Sequence, residues 1–250
     1  MSKTILWFRQ DFRLDDHPAL IQASKLGQPI LPVVIVDPRW FEITRLGLPK
    51  MGRFRATFWK ESIEDLAESI ESQGGTLIIR EGHPESVLSE LVHEYDVSEL
   101  VAMTYPGTEE AKCEDRIENQ LPQHCGIEWV EGHTLLHTED LPFEIEDLPK
   151  VFTPFRKKVE KDVDVREPMS KPEAMSWMPI ESNGSWKDVL EQSQLTVQAG
   201  EWEPDTRSVL PFKGGESAGL ARLQEYIWDG DHLKVYKKTR NGLLGANYSS

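Results

Sequence analysis

The sequence lacks most of the features that would settle a function at sight. Two cysteines, Cys113 and Cys125, occur in 250 residues, and the seven histidines are scattered. With no CxxC or HExxH spacing, neither a disulfide framework nor a metal site is expected, and two thiols suit a reducing cytoplasm. No stretch approaches the roughly 20 apolar residues of a membrane span. The N-terminus lacks the charged start and apolar run of a signal peptide, so no membrane association or export is expected. Also missing are a GxGxxG after the first apolar run and a GxxxxGK[ST] anywhere, which argues against a standard NAD site or P-loop.

Positive charge is scarce as well. Lys and Arg number 28 against 43 Asp and Glu, a net of -15. Most of such a surface repels nucleic-acid phosphates. The charge is uneven, however. From Thr206 to Ser250 there are seven basic residues (Arg207, Lys213, Arg222, Lys234, Lys237, Lys238, Arg240). Four acids oppose them (Glu216, Glu225, Asp229, Asp231), so the last fifth is net positive by three and the remainder near eighteen negative. That asymmetry points to a second kind of domain at the end.

What is present is a series of short apolar runs alternating with helical periodicities. Thr4–Arg9, Ile30–Val36, Thr76–Ile79, Leu100–Met103 and Ile127–Val130 read as five strands. Between them lie helices near Pro18–Leu26, over Met51–Ser72 (Phe54, Phe58, Ile63, Leu66 and Ile70 at helical spacing), after Gly82-His83-Pro84, and over Glu109–Leu121. The expected fold class is α/β: a parallel, five-stranded, Rossmann-like sheet in flavodoxin-like order with helices on both faces. Ligands of such sheets sit beyond the carboxyl ends of the strands.

From Thr138 to about Thr206 the regularity breaks among prolines, acids and small polar residues, as in a long connector. Ordered pieces are expected at Val151–Lys161 and near Trp186–Leu190. Two helices follow, one opening at Gly214-Gly215-Glu216 and a basic one over Lys234–Arg240, then a glycine-rich tail. The expected division is 1–137 for the α/β domain, 138–205 for the connector and 206–250 for the start of an incomplete helical domain.

Everything is organised around the first strand and its turn, Trp7-Phe8-Arg9-Gln10-Asp11-Phe12-Arg13-Leu14-Asp15-Asp16-His17-Pro18-Ala19-Leu20. Asp16 is placed to cap the helix opening near Pro18. Arg9 and Arg13 are placed to pair with Asp11 or Asp15. As a whole, W-F-R-x-D-F-R-x-x-D-x-P-A-L resembles the opening of the photolyase/cryptochrome family. Val151-Phe152-Thr153-Pro154-Phe155 is similar to that family's segment leading out of the α/β domain. Gly214-Gly215-Glu216-Ser217-Ala218 through Tyr236-Lys237-Lys238-Thr239-Arg240-Asn241-Gly242 to Tyr248-Ser249-Ser250 resembles most closely the cryptochrome DASH branch.

The resemblance implies an α/β domain joined to an all-helical domain holding FAD. It also implies light-driven electron donation from FADH⁻ to cyclobutane pyrimidine dimers, preferentially in single-stranded DNA. By the same resemblance Tyr236, Ser249 and Ser250 match FAD contacts. Glu109 and Glu110 match the acid that contacts an antenna pterin, 5,10-methenyltetrahydrofolate, with Asp37, Pro38, Arg39 and Trp40 lining the same cleft. First-turn acids favoured by the helix dipole account equally for Glu109 and Glu110. The rest of the flavin pocket and the dimer cavity do not follow Ser250, so the chain reads as an N-terminal portion, inactive in repair alone. Alternatives are a non-catalytic pterin- or nucleotide-binding module, and a protein whose exposed tail helices associate with a partner.

Overall fold

The computed structural model describes residues 2–172, 174–180, 185–201, 203 and 212–239. Five strands, β1 (Thr4–Phe8), β2 (Ile30–Val36), β3 (Ile78–Glu81), β4 (Glu99–Met103) and β5 (Gly126–Val130), pair in parallel. Alternation explains why every side chain of β1 is buried. Leu6 and Phe8 enter one core with Leu20, Val34, Val36, Ile63 and Leu66, whereas Ile5 and Trp7 enter the other with Leu31, Val33, Ile35, Leu88 and Ile117. A strand covered on both faces carries no polar alternation, and apolar runs of this kind belong to parallel sheets.

The strand order is β3-β2-β1-β4-β5. This corrects the expected flavodoxin-like order, in which the second strand would be an edge. All seven residues of β2 are buried, which suits a strand flanked on both sides. The edge falls to β3, whose four residues become exposed toward Glu81. The order reverses between β1 and β4, so their carboxyl ends open a crevice.

Helices α1 (Pro18–Lys25), α2 (Arg53–Glu71), α3 (Pro84–Tyr95) and α4 (Thr108–Gln120) connect the strands. On α2 the buried side chains include Ala56, Trp59, Ile63, Leu66 and Ile70, while Phe54 and Phe58, expected on the same stripe, are exposed. The connector packs back on the sheet. Ile30 donates to the Ser176 carbonyl and receives the Met178 amide, so Trp177 fills the place beside β2 where β3 has not yet begun. Helix α5 (Phe152–Asp162) buries only Val159, and α6 (Trp186–Gln192) and α7 (Gln194–Ala199) bury Trp186, Leu190 and Leu195 beside α2. The tail gives α8 (Glu216–Gln224), a π-helical turn (Glu225–Asp229) and α9 (His232–Thr239).

Candidate functional site

The turn after β1 folds differently from its sequence expectation. The cap of α1 is His17, not Asp16: its Nδ1 accepts the Leu20 amide at 3.0 Å. Asp16 sits at φ 46° and ties to the connector instead, accepting the Met169 amide through Oδ1. Because Nδ1 accepts, Nε2 carries the proton and faces Asp11 Oδ2 at 2.8 Å, both groups wholly buried. Asp11 Oδ1 also accepts the amides of Arg9 and Gln10. Burial alone would raise the Asp11 pKa, but His17 and these amides outweigh it and hold the carboxyl below its ordinary range.

Neither arginine pairs as the sequence suggested. Arg9 donates to the Met103 carbonyl and to Glu114 on α4, and its guanidinium lies 4.8 Å from the Trp7 ring and 5.0 Å from that of Tyr105. Arg13 donates to the backbone carbonyls of Asp15 and Asp16. A planar cation in an aromatic box suits arginine rather than lysine. Glu114 lies 105 positions from Arg9, and nothing local in the sequence announces it.

Beyond the carboxyl ends of β1, β2 and β4 lies a cleft of about 360 Å³. Its walls bring together Asp37, Arg39, Trp40, Glu109 and Glu110, as the sequence reading proposed. They also include Arg9, at a strand end where a ligand was expected, and Trp7, Lys50, Met51, Arg55, Lys112, Cys113 and Arg116, which it did not foresee. Asp37 caps the 3-10 turn Pro38–Phe41 through the Arg39 amide, and it grips the Arg39 side chain at Nε. Arg39 reaches on to Glu85, which Arg116 also holds at 2.9 Å. Burial works against the Arg39 charge, but Asp37 and Glu85 outweigh it and raise its pKa. Burial would likewise raise Glu85; its own backbone amide and the two arginines draw it below the ordinary value.

The acids at the start of α4 are less engaged. The Glu109 side chain is 76% exposed and meets Lys50 at 3.1 Å, while the Glu110 carboxylate folds over Gly107. Lys112 has no ion-pair partner among the described residues. Burial pushes the Cys113 thiol up despite the nearby Arg39.

One group in the cleft lacks a partner. The Trp7 side chain is 4% exposed, and its Nε1–H meets no acceptor among the described residues. A buried donor without an acceptor costs free energy, and this one lies in a wall of the cleft. Of the proposed flavin contacts, Tyr236 lies on α9 and lines neither this cleft nor a second one between α2, α6 and α8. Ser249 and Ser250 lie outside the described residues. Among the described residues no group of three or more His, Cys, Asp or Glu could hold a metal, and no helix is long and apolar enough to cross a membrane.

Comparison with known proteins gives the context. The DNA photolyase family model matches residues 4–173. Cryptochrome DASH of Natronomonas pharaonis is 39% identical across the whole chain, which spans 52% of that relative, and that of Gloeobacter violaceus is 40% identical with 49% spanned. The chain thus spans about half the length of the curated relatives it matches. Among solved structures, the Synechocystis cryptochrome superposes with a TM-score of 0.91 at 38% identity, covering all of this chain and 51% of that one. The archaeal photolyase of Sulfolobus tokodaii, a structure with two FAD molecules, superposes at 0.70 with 24% identity over 88% of this chain and 46% of that one, and shares the fold. Fold, opening motif and family match agree: the chain belongs to the DNA photolyase family.

Proposed function

We propose that this chain is the light-gathering half of a blue-light flavoprotein of the cryptochrome DASH kind, and that the cleft at the sheet's carboxyl edge holds its antenna, 5,10-methenyltetrahydrofolate. The observation that carries the reading is the cleft's donor and acceptor set. The Glu109 and Glu110 carboxylates suit the paired N–H donors of a pterin edge, and the partnerless Trp7 indole suits its ring carbonyl. Lys112 and Arg55 at the mouth suit the carboxylates of a folate tail. The Asp37–Arg39–Glu85–Arg116 network holds one wall rigid, as a site that must not rearrange on binding requires.

A bound antenna supplies light absorption and FAD supplies light-driven electron donation; the DNA substrate is a cyclobutane pyrimidine dimer, preferentially in a single strand. Within this chain Tyr236, Ser249 and Ser250 are the residues proposed to face FAD, at the start of a helical domain over 206–250 that follows the α/β domain (1–137) and connector (138–205). The exposed lysines of α9, Lys234, Lys237 and Lys238, give the tail a charge suited to the DNA partner. Two buried, unpaired thiols fit a cytoplasmic setting.

A second reading, docking on a helical partner, draws on one observation. Leu220, Leu223, Trp228 and Leu233 of the tail are each about half exposed, and apolar surface of this kind associates. An absorption spectrum taken after the purified chain has met methenyltetrahydrofolate and passed through gel filtration separates the readings. A retained near-ultraviolet pterin band on a monomer supports the antenna. Absence of the band together with a dimer or larger species favours docking.

A further inference from the structure

The tail helices and the cleft meet at one turn. Glu216, the first residue of α8, accepts the amides of Leu14 and Asp15 through its two carboxylate oxygens, each at 2.9 Å. On the other side, Gly214, Gly215 and Ser217 donate their amides to Glu61, Ser62 and Asp65 of α2. The approach requires glycine. A Cβ on Gly214 would overlap the Phe58 carbonyl oxygen, and Gly215 takes φ +105° with its missing Cβ facing Asp65. Leu220 and Leu223 of α8 remain exposed. The tail is therefore fastened by its polar N-terminal end rather than by an apolar face, and the positive end of a helix suits the acids of α2.

The turn that Glu216 grips runs straight to the cleft. Arg13 binds the carbonyls of Asp15 and Asp16, and its amide donates to the Asp11 carbonyl at 2.6 Å. Asp11 in turn holds the amides of Arg9 and Gln10, and both of these residues line the cleft. We propose that Glu216 is a positioning residue coupling the tail to the cleft: it fixes the turn from which Arg9 and Gln10 enter the site. Docking of α8 and ligand binding then favour one another, and by linkage the coupling is reciprocal. The ligand part rests on the cleft being the antenna site; the mechanical part does not.

Amide hydrogen exchange on the intact chain, resolved at single amides, tests the coupling. Glu216→Ala should speed exchange at Leu14 and Asp15 about tenfold or more, the loss expected for two hydrogen bonds to a charged group. The diagnostic result is a parallel, severalfold rise at Arg9 and Gln10. Gly214→Val, which keeps the carboxylate but blocks the approach to α2, should give the same pattern. Glu216→Gln, with one acceptor oxygen retained, should lie between. Acceleration confined to Leu14 and Asp15 would overturn the proposal, as would a uniform rise that includes β4 and α3. Adding methenyltetrahydrofolate to the wild-type chain should slow exchange at Ser217. If the pterin does not bind at all, the antenna reading fails while the exchange pattern still decides the role of Glu216.

Discussion

Helix α2 borders two clefts of opposite character. The first, at the carboxyl edge of the sheet, is lined by Arg9, Arg39, Lys50, Arg55, Lys112 and Arg116, in a chain whose net charge is -15. The second, beside the tail, is lined by Glu61, Glu64, Asp65, Glu68, Asp188 and Glu191. In the first, Arg9, Arg39 and Arg116 are held by the largely buried carboxylates of Glu114, Asp37 and Glu85, and an indole donor is unfilled. In the second, Glu61 and Asp65 are occupied by backbone amides of this same chain. The contrast separates a place built to receive a ligand from a place built to receive a segment of the fold. A polar cluster is informative about function when its partners leave something unsatisfied, and about architecture when they do not.

The contrast can be broken most forcefully at Asp11. Its carboxylate faces His17 Nε2 at 2.8 Å and accepts two amides in a fully buried setting, so Asp11→Ala strands two amide donors and leaves the buried imidazole facing no carboxylate. The expected loss is about 4 kcal/mol, a fall in thermal midpoint of ~10 °C by calorimetry; a loss under about 1 kcal/mol would show the pair to be dispensable. Next in size is the difference between the sheet core and the tail. Ile63→Ala on α2 should cost about 3 kcal/mol. Trp228→Ala, whose side chain is 60% exposed, should cost under about 0.5 kcal/mol. Equal losses in denaturant titrations would mean that the tail is as integral as the core.

The pH dependence sharpens the comparison further. Asp11 and Glu85 both have folded pKa values drawn below the ordinary 3.8 and 4.5. Their contribution is complete above those values and is lost as pH falls through the depressed ones. Stability should hold flat from neutral pH down to about 5 and fall at lower pH, with a shallower fall in Asp11→Ala; a decline beginning above pH 6 would point to other groups. The smallest effect concerns the thiols. Burial raises Cys113 and pushes Cys125 up to about 11, so both should alkylate at pH 8 far more slowly in the native than in the unfolded chain. Native labelling at the unfolded rate would contradict their burial.

Much of the fold was legible because its central strands are buried on both faces. Thr4–Phe8 and Ile30–Val36 need no alternation to be recognised, and Gly74, Gly82 and Pro84 mark the turns. Strand order was not legible, since nothing in the β-branched run of β2 distinguishes an edge from an interior place until its neighbours are known. The polar turn shows the same limit. Its residues were identified, but their partners Glu114, Met169 and Glu216 come from positions 105, 153 and more than 200 away. His17 capped α1 in place of Asp16 because the imidazole could be buried against Phe8 and Asp11, a gain that local capping preference does not weigh. In the cleft, the strand-end and first-turn positions of Asp37, Arg39, Glu109 and Glu110 were visible by motif. Trp7 was visible only as part of the first apolar run, because its unsatisfied indole is a property of the surroundings.

The measurement that bears most directly on the central claim is an equilibrium titration of methenyltetrahydrofolate with the wild-type chain, Trp7→Phe and Leu220→Ala. The phenyl ring keeps an aromatic face beside Arg9 while removing the partnerless donor and some ring volume. Trp7→Phe should weaken binding about tenfold, the value of one hydrogen bond in a buried site, with Leu220→Ala unchanged. Equal affinity in the wild-type chain and Trp7→Phe, or no binding by any of the three, would contradict the assignment of this cleft to the antenna.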